Sequence, residues 1–406
     1  MSVMSEIRRY NAGRDPLRLQ MKLVKMSADP AVFLRGTCHL FYAHLALQGP
    51  LKKAPLVWAC GDLHLENFGS YKGDNRQAYV DINDFDEAAL APATWDLVRM
   101  LTSILVAAPT LGLSPRKARA MSELFTARYA AALAGGKAYW ADHRTADGLV
   151  HDLLDSLATR SRKAFLDGRT TVQGQRRQFK LDGQKAMAAT AAQRAMVKAY
   201  MKSFASTQPK PGFFKVLDVA IRIAGTGSLG VERYAVLVQG KGSPDGNYIL
   251  DLKEALPSSL LPRLQAIKVK QPKWGSEAQR IVAIQSMVQA VPMAFLHAAE
   301  LGGKSFVLKG LQPTEDRVAL AGKQVRHADV AAVLTQMASL LAWAQLRSAG
   351  RLGSARADAL IAFGLDTTWR ERLRQAAVLC ARQTVRDARA FQQAQAKAEP
   401  ASSPTP

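Results

Sequence analysis

Gly61-Asp62-Leu63-His64-Leu65-Glu66-Asn67-Phe68-Gly69 is the stretch on which the reading of this chain turns. A short apolar run, Leu56 to Cys60, precedes it and reads as a strand. A second run, Ala78 to Ile82, follows and delivers Asn83-Asp84-Phe85-Asp86-Glu87. Acidic and amide groups thus stand just past the ends of two short strands. Carboxylate and amide oxygens are hard ligands, so such a place suits a divalent cation.

Asp62 and Asn67 are five residues apart, the spacing of the D-x-x-x-x-N catalytic loop of kinases, where the Asp accepts the substrate hydroxyl proton and the Asn holds a metal. That pattern alone is common by chance; the full G-D-x-H-x-x-N, followed by a strand and N-D-F-D, is far rarer. G-D-L-H-L-E-N resembles the catalytic loop of the aminoglycoside-phosphotransferase-like branch of the protein-kinase-like superfamily. Asp84-Phe85-Asp86 resembles its metal-binding Asp-Phe-Gly, with Asp86 in the glycine position. Pro92-Ala93-Thr94-Trp95-Asp96-Leu97 resembles the start of the next helix, whose Asp braces the catalytic loop. More closely, the chain resembles a bacterial family of unassigned function within that superfamily, from about Met21 to about Gln393. The matching features are Phe33-Leu34-Arg35-Gly36, G-D-L-H-L-E-N-F-G, N-D-F-D-E-A and P-x-x-W-D-L-x-R. The resemblance implies Asp62 as catalytic base and Asn67 and Asp84 as metal ligands, with Asp86 as a further ligand. Asp81 is the rival to Asp84, because N-D-F-D lies farther from Asn67 than the pattern leads one to expect. His64 is read as orienting the loop by hydrogen bonding rather than taking the proton. For Arg35, a surface or capping role stands beside a role near phosphate, and the resemblance favours the second.

The character of the chain changes after Gln208-Pro209-Lys210-Pro211-Gly212, which reads as a linker. Phe214 to Ile223 and Tyr234 to Val238 are strand-like, and Tyr248 to Lys253 alternates apolar residues. Between the first two lies Gly225-Thr226-Gly227-Ser228-Leu229-Gly230, a G-x-G-x-x-G pattern with Val231 next. A glycine-rich hairpin turn gives the same letters. Strands on both sides favour a kinase glycine-rich loop over a dinucleotide-binding fold, which needs a strand and a helix. Gly225, Gly227, Ser228 and Gly230 would then offer backbone N–H groups to phosphate oxygens without a Cβ in the way. Lys253 corresponds to the phosphate-binding lysine of the following strand. Glu277, at the start of a helix read over Glu277 to Val291, is the candidate partner for it; Glu254 is nearer in sequence but points to the opposite face. Ser305 to Leu311 reads as the strand leading to a hinge for an adenine ring. Asp329 to Arg347 resembles the helix that precedes a kinase catalytic loop, with Gln345 where the family has a histidine.

In ordinary kinases the glycine-rich loop and its lysine precede the catalytic loop; here they follow it. The expected fold is therefore α+β, a bilobal protein-kinase-like fold that is circularly permuted. Residues 1–210 would be the catalytic-loop half of the helical lobe and 213–325 the nucleotide lobe around an antiparallel sheet. Residues 326–393 would be helices returning to the helical lobe, and 394–406 a disordered tail, Ala/Pro/Ser-rich from Ala396 to Pro406. Permutation is physically acceptable where the old termini lie close together on the surface.

Composition sets the outer limits. With 406 residues, 48% hydrophobic and 22% charged, two lobes with proper cores are within reach. The polar N-terminus carries no apolar run of the secretory kind, and no segment approaches the ~20 apolar residues of a membrane helix. Cys38, Cys60 and Cys380 are isolated, without metal or redox spacing, which fits a reducing cytoplasm. The net charge of +22 asks for an anionic partner or a merely basic surface. It is dispersed, with few interleaved aromatics and no recognised nucleic-acid motif, so nucleic acid is not the expected partner. From Arg160 to Lys210 there are twelve Lys/Arg against Asp167 and Asp182, either a solvated face or a surface for an anionic acceptor. The expected activity is phosphoryl transfer from ATP with Mg2+ or Mn2+ to an unidentified hydroxylated small molecule. Only eleven residues, Phe85 to Trp95, separate Asp84 from Asp96, which leaves no room for the long activation segment of protein-substrate kinases. A pseudokinase acting as an ATP-binding regulatory module and a nucleotidyl (AMP) transferase are the alternatives.

Overall fold

The computed structural model describes residues 2–313, 316–322 and 325–398. Helices α1 (Val3–Tyr10) and α2 (Pro16–Met26) begin at Ser2 and Asp15, whose side chains accept from Ser5 N and Arg18 N and so satisfy backbone donors of the first turn. Ala31 to Leu47, which after Pro30 reads in the sequence as one helix, is in fact two, α3 (Pro30–Gly36) and α4 (Cys38–His44). The break falls at Thr37, which leaves helical geometry (φ −129°, ψ 44°) and donates its hydroxyl to Phe33 O at 2.7 Å.

After α5 (Pro50–Lys53) come β1 (Leu56–Ala59), the hairpin of β2 (Phe68–Lys72) and β3 (Ala78–Ile82), and β4 (Ala89–Pro92). β4 pairs antiparallel with β1, Leu56 opposite Pro92 and Ala59 opposite Ala89. Pro92 therefore ends a strand, and the helix expected from it, α6 (Thr94–Val106), starts two residues later. α7 (Pro115–Ala134), β5 (Ala141–Asp142), α8 (Gly148–Ala158) and α9 (Arg162–Asp167) follow, β5 joining the free edge of β3. The hairpin of β6 (Thr170–Gln173) and β7 (Arg176–Phe179) leads into β8 (Ala186–Ala188) and α10 (Ala191–Ser206).

β9 (Val216–Arg222), β10 (Arg233–Val238), β11 (Tyr248–Glu254), β12 (His297–Leu301) and β13 (Lys304–Gly310) complete a six-stranded antiparallel sheet in the order β12-β13-β11-β10-β9-β8. Between β11 and β12 lie α11 (Leu261–Ala266) and α12 (Glu277–Val288). The boundary expected near residue 210 is displaced. β8 pairs with β9, and Val197, Met201 and Phe204 of α10 pack on Val219, Val236, Leu252 and Phe306. Both elements belong to the sheet, because its apolar face needs a covering helix and α10 supplies one.

The chain closes with α13 (His327–Arg347), α14 (Ala357–Leu365) and α15 (Arg370–Ala398). α15 takes in residues 394–398 of the stretch expected to be a disordered tail, and 399–406 lie outside the described residues. Among the described residues α13 alone is long and apolar enough to cross a membrane, yet 67% of that window is buried, as in a core helix. The larger core joins Trp58, Trp95 and Leu101 to Leu334 and Leu341 of α13 and Leu373 of α15. With 48% helix and 17% strand in several sheets, the architecture is α+β.

Candidate active site

Gly61 opens the loop between β1 and β2 at φ +83°, where a Cβ would lie 2.3 Å from Glu87 O. Only glycine fits both the left-handed backbone and that close approach. The next helix holds the loop from behind. Asp96, fully buried in the first turn of α6, accepts from Cys60 N and Gly61 N, both at 3.0 Å. Arg99, one turn further along α6 and so on the same face, reaches Asp62 Oδ1 through Nε at 2.7 Å and also through Nη2, which donates to Leu34 O as well.

Asp62 Oδ2 lies 4.0 Å from His64 Nε2. Burial pushes the Asp62 carboxyl up more than Arg99 pulls it down, to about 6. The buried His64 ring is driven well below its ordinary value by desolvation and by Arg35, Arg99 and Arg317, and its Nδ1 accepts from Glu66 N at 3.2 Å. Asn67 donates its amide nitrogen to Asp62 O (2.9 Å), and its backbone carbonyl accepts from Asn83 N (2.9 Å), which stitches the loop to the strand end that delivers Asp84.

Asp84 and Asp86 face Lys253 of β11. Lys253 Nζ makes an ion pair with Asp86 Oδ2 and stands 3.9 Å from Asp84 Oδ2. Desolvation in the cleft raises Asp84, but Lys253, Lys309 and Arg233 outweigh it and hold the carboxyl below its usual value. Lys309, opposite Asp251 across the β11–β13 ladder, is lowered by desolvation in spite of Asp84 and Asp251. Asp251 itself is fully buried between Arg222 (2.8 Å) and Arg233, whose Nε donates to Asp251 Oδ1 at 2.8 Å. The rival Asp81 is committed elsewhere: its carboxylate takes Arg347 Nη2 at 2.8 Å and Ile82 N at 2.9 Å.

The glycine-rich segment is the turn between β9 and β10, with Gly225 at φ +72° and Gly230 at φ +89°. Residues of α2 and the turn before it grip this segment, and Arg14 and Lys22 among them also line the cleft described below. Arg14 donates to Gly227 O (2.7 Å) and Leu229 O (3.1 Å), Arg18 to Val231 O (2.8 Å), and Lys22 to Gly227 O (3.0 Å) and Asn11 Oδ1 (2.9 Å).

One cleft of about 100 Å3 is lined by Asp62, His64, Asn67, Asp84, Asp86, Gly225, Gly227, Ser228 and Lys253 together. Two residues expected with them are elsewhere. Gly230 packs on Arg14, outside the cleft lining. Glu277 does not pair with Lys253: Arg280, three residues on along the same helical face, takes its carboxylate at 2.6 Å, and Asp86 occupies the lysine. The same Arg280 donates to Ala88 O, to Asp86 O at 2.9 Å and to Leu256 O at 3.0 Å. Arg35 also lines the cleft, paired with Glu66 at 2.5 Å. The basic stretch from Arg160 to Lys210 contributes no lining residue.

Sequence reasoning gave no role to Arg14, Lys22, Arg280 or Lys309, nor to Arg99, which it met only as the last residue of P-x-x-W-D-L-x-R. Arg99 had a signal, its place one turn after Asp96. Lys309 had only strand register, which an isolated strand does not disclose. Two carboxylates and an amide oxygen beside a lysine and a glycine turn are a donor set that can hold a hard divalent cation and a polyphosphate.

No curated protein and no solved structure matches the chain. Residues 14–394 match the family described as "Uncharacterized protein conserved in bacteria (DUF2252)". That match spans nearly the whole chain, and the protein belongs to this bacterial family of uncharacterised function.

Proposed function

We propose that the protein is an ATP- and metal-dependent phosphotransferase acting on a hydroxylated small molecule, on a kinase-like fold whose nucleotide lobe follows the catalytic loop in the chain. The observation that carries this reading is the convergence, from distant parts of the sequence, of Asp62, Asn67, Asp84, Lys253 and the Gly225–Ser228 turn on one cleft. Phosphoryl transfer asks for positioning and charge neutralisation more than for covalent chemistry, and each of those parts supplies one or the other.

Asp62 would accept the acceptor hydroxyl proton at Oδ2, since Oδ1 is held by Arg99. A carboxyl raised to about 6 is a competent base near neutrality. Asn67 Oδ1, Asp84 and Asp86 would hold Mg2+ or Mn2+; the hard oxygen donors fit such an ion. Bound there, the ion would offset phosphate charge. Lys253 would contact phosphate oxygens once released from Asp86, and the amides of the glycine turn would cover them. His64, held uncharged and hydrogen-bonded to Glu66 N, orients the loop.

A second reading, an ATP-binding regulatory module without transfer, is favoured by one observation. Lys253 is occupied by Asp86 rather than open to a phosphate.

The test is incubation of a metabolite extract with γ-labelled ATP and Mg2+ or Mn2+, comparing the wild type with Asp62→Asn. A labelled small-molecule product is expected, reduced at least about 100-fold in the variant. A product undiminished in Asp62→Asn removes Asp62 from the mechanism. Absence of product with every metal, alongside retained ATP binding, shifts the assignment to the regulatory module, and an adenylate mass in place of a phosphate shifts it to AMP transfer.

A further inference from the structure

His143, His151 and Asp155 lie away from the cleft, on the surface formed by the β5–α8 connection and α8. Their donor atoms all lie within 4.8 Å of one another. His151 and Asp155 are four residues apart on α8 and so share a face, with His151 Nδ1 3.3 Å from Asp155 Oδ2. His143 comes from the other side and puts Nε2 against Asp155 Oδ1. The two imidazole centroids are 4.8 Å apart with planes inclined at 47°, so the rings converge on the carboxylate rather than stack.

The connection that carries His143 is pre-ordered. Asp142 Oδ1 accepts from Arg144 N (2.9 Å) and Thr145 N (3.1 Å), and Oδ2 from Trp140 Nε1 (2.9 Å). β5 itself is pinned to β3, Ala141 opposite Val80. A binding constellation on a fixed turn and a helix needs little rearrangement to accept a ligand.

From this geometry we infer that His143, His151 and Asp155 form a binding site for a borderline transition-metal ion, Zn2+ above all, separate from the cleft. A tetrahedral zinc ion with bonds of about 2.0–2.1 Å spaces its donors about 3.3 Å apart, the separation found between His151 and Asp155. Two imidazoles and one carboxylate are a three-ligand set, and the solvent reaching the half-buried His151 and the more open His143 and Asp155 leaves the fourth position to water. The set discriminates: imidazole nitrogen suits Zn2+, Co2+ and Ni2+, whereas Mg2+ and Ca2+ seek oxygen throughout. Metal bound here clips α8 to the connection that leads from β5, and through β5 to β3, the strand that ends at Asn83-Asp84.

The experiment is titration of the full chain with Zn2+ by calorimetry and with Co2+ by visible absorption, in millimolar Mg2+. One equivalent is expected to bind, with Co2+ bands of nitrogen–oxygen ligation and a rise in melting temperature. His143→Ala and His151→Ala, the first exposed and the second half-buried and both outside the hydrophobic cores, should keep the far-UV circular dichroism and lose at least about tenfold in affinity. Asp84→Asn should bind Zn2+ at this site as the wild type does, which separates it from the cleft. Equal binding by wild type and the double histidine variant, displacement by Mg2+, or no binding overturns the proposal.

Discussion

Asp62 keeps Arg99 on one carboxylate oxygen and still has its pKa pushed up to about 6, because burial outweighs the ion pair. The sign of the pH dependence follows. If Asp62 is the base, its active form is the carboxylate, so kcat/KM for transfer should rise with unit slope as pH climbs toward about 6 and flatten above it. The same raised value makes Asp62 contribute stability that is full below its unfolded value and is lost as pH rises through about 6. Arg99 lowers the Asp62 value, so Arg99→Met should carry the limb of the profile upward. A limb that stays put in that variant, or that persists in Asp62→Asn, would assign it to another group.

At the scale of elements, α12 is fastened to the segment that carries the acidic residues by one side chain. Arg280 is buried and reaches the carbonyls of Asp86, Ala88 and Leu256 while holding Glu277. Arg280→Met leaves three carbonyls without their donor and a glutamate without its cation. It should lower stability by about 3–9 kcal/mol in urea denaturation, at roughly 1–3 kcal/mol for each of the three stranded carbonyls. A loss below 1 kcal/mol would mean that water replaces the guanidinium. This contact also shows what the sequence disclosed and what it hid. The strands β1 and β3 beside the Gly61–Asn67 loop, the glycine hairpin and α13 were legible because each carries a local period or a turn signal. Glu277 was rightly placed at a helix start, but its partner was decided by a competing arginine one turn away, and Lys253 found Asp86 across a long-range contact. The allegiance of β8 and α10 to the sheet was hidden for the same reason. Three residues of strand carry no usable period, and the Pro-Gly punctuation at 209–212 marks a short turn of 3-10 helix (Pro211–Phe214) inside the unit rather than its edge. The break at Thr37 was hidden because a single threonine does not normally end a helix.

For the molecule as a whole, the proposed activity requires a cleft of about 100 Å3 to widen for a nucleotide. Rotation of the sheet and α12 together away from the Gly61–Asn67 loop is disfavoured by what joins them. Ala278, Ile281, Ile284 and Val288 of α12 belong to the larger core, not to the core of the sheet. Gln289 donates to Ile82 O (2.8 Å), Arg347 to Val288 O (2.7 Å), and Asp74 N to Pro292 O (2.9 Å). The β9–β10 turn has no such anchorage in the larger core. It is held by Arg14, Arg18 and Lys22 through side-chain bonds to carbonyls that local fluctuation can break singly, and by one backbone bond, from Asp15 N to Gly230 O at 3.0 Å. Opening should therefore be a movement of the glycine turn against α2, with parting of Lys253 from Asp86, while α12 stays in place. Hydrogen exchange with and without a non-hydrolysable ATP analogue and Mg2+ should show changed protection at residues 225–233 and 14–22, and none at 277–293. Lys22→Met, which removes one grip on Gly227 O, should speed exchange in the turn before any ligand is added. Protection changes spread over α12 in equal measure would instead mean that the sheet and α12 move as one body.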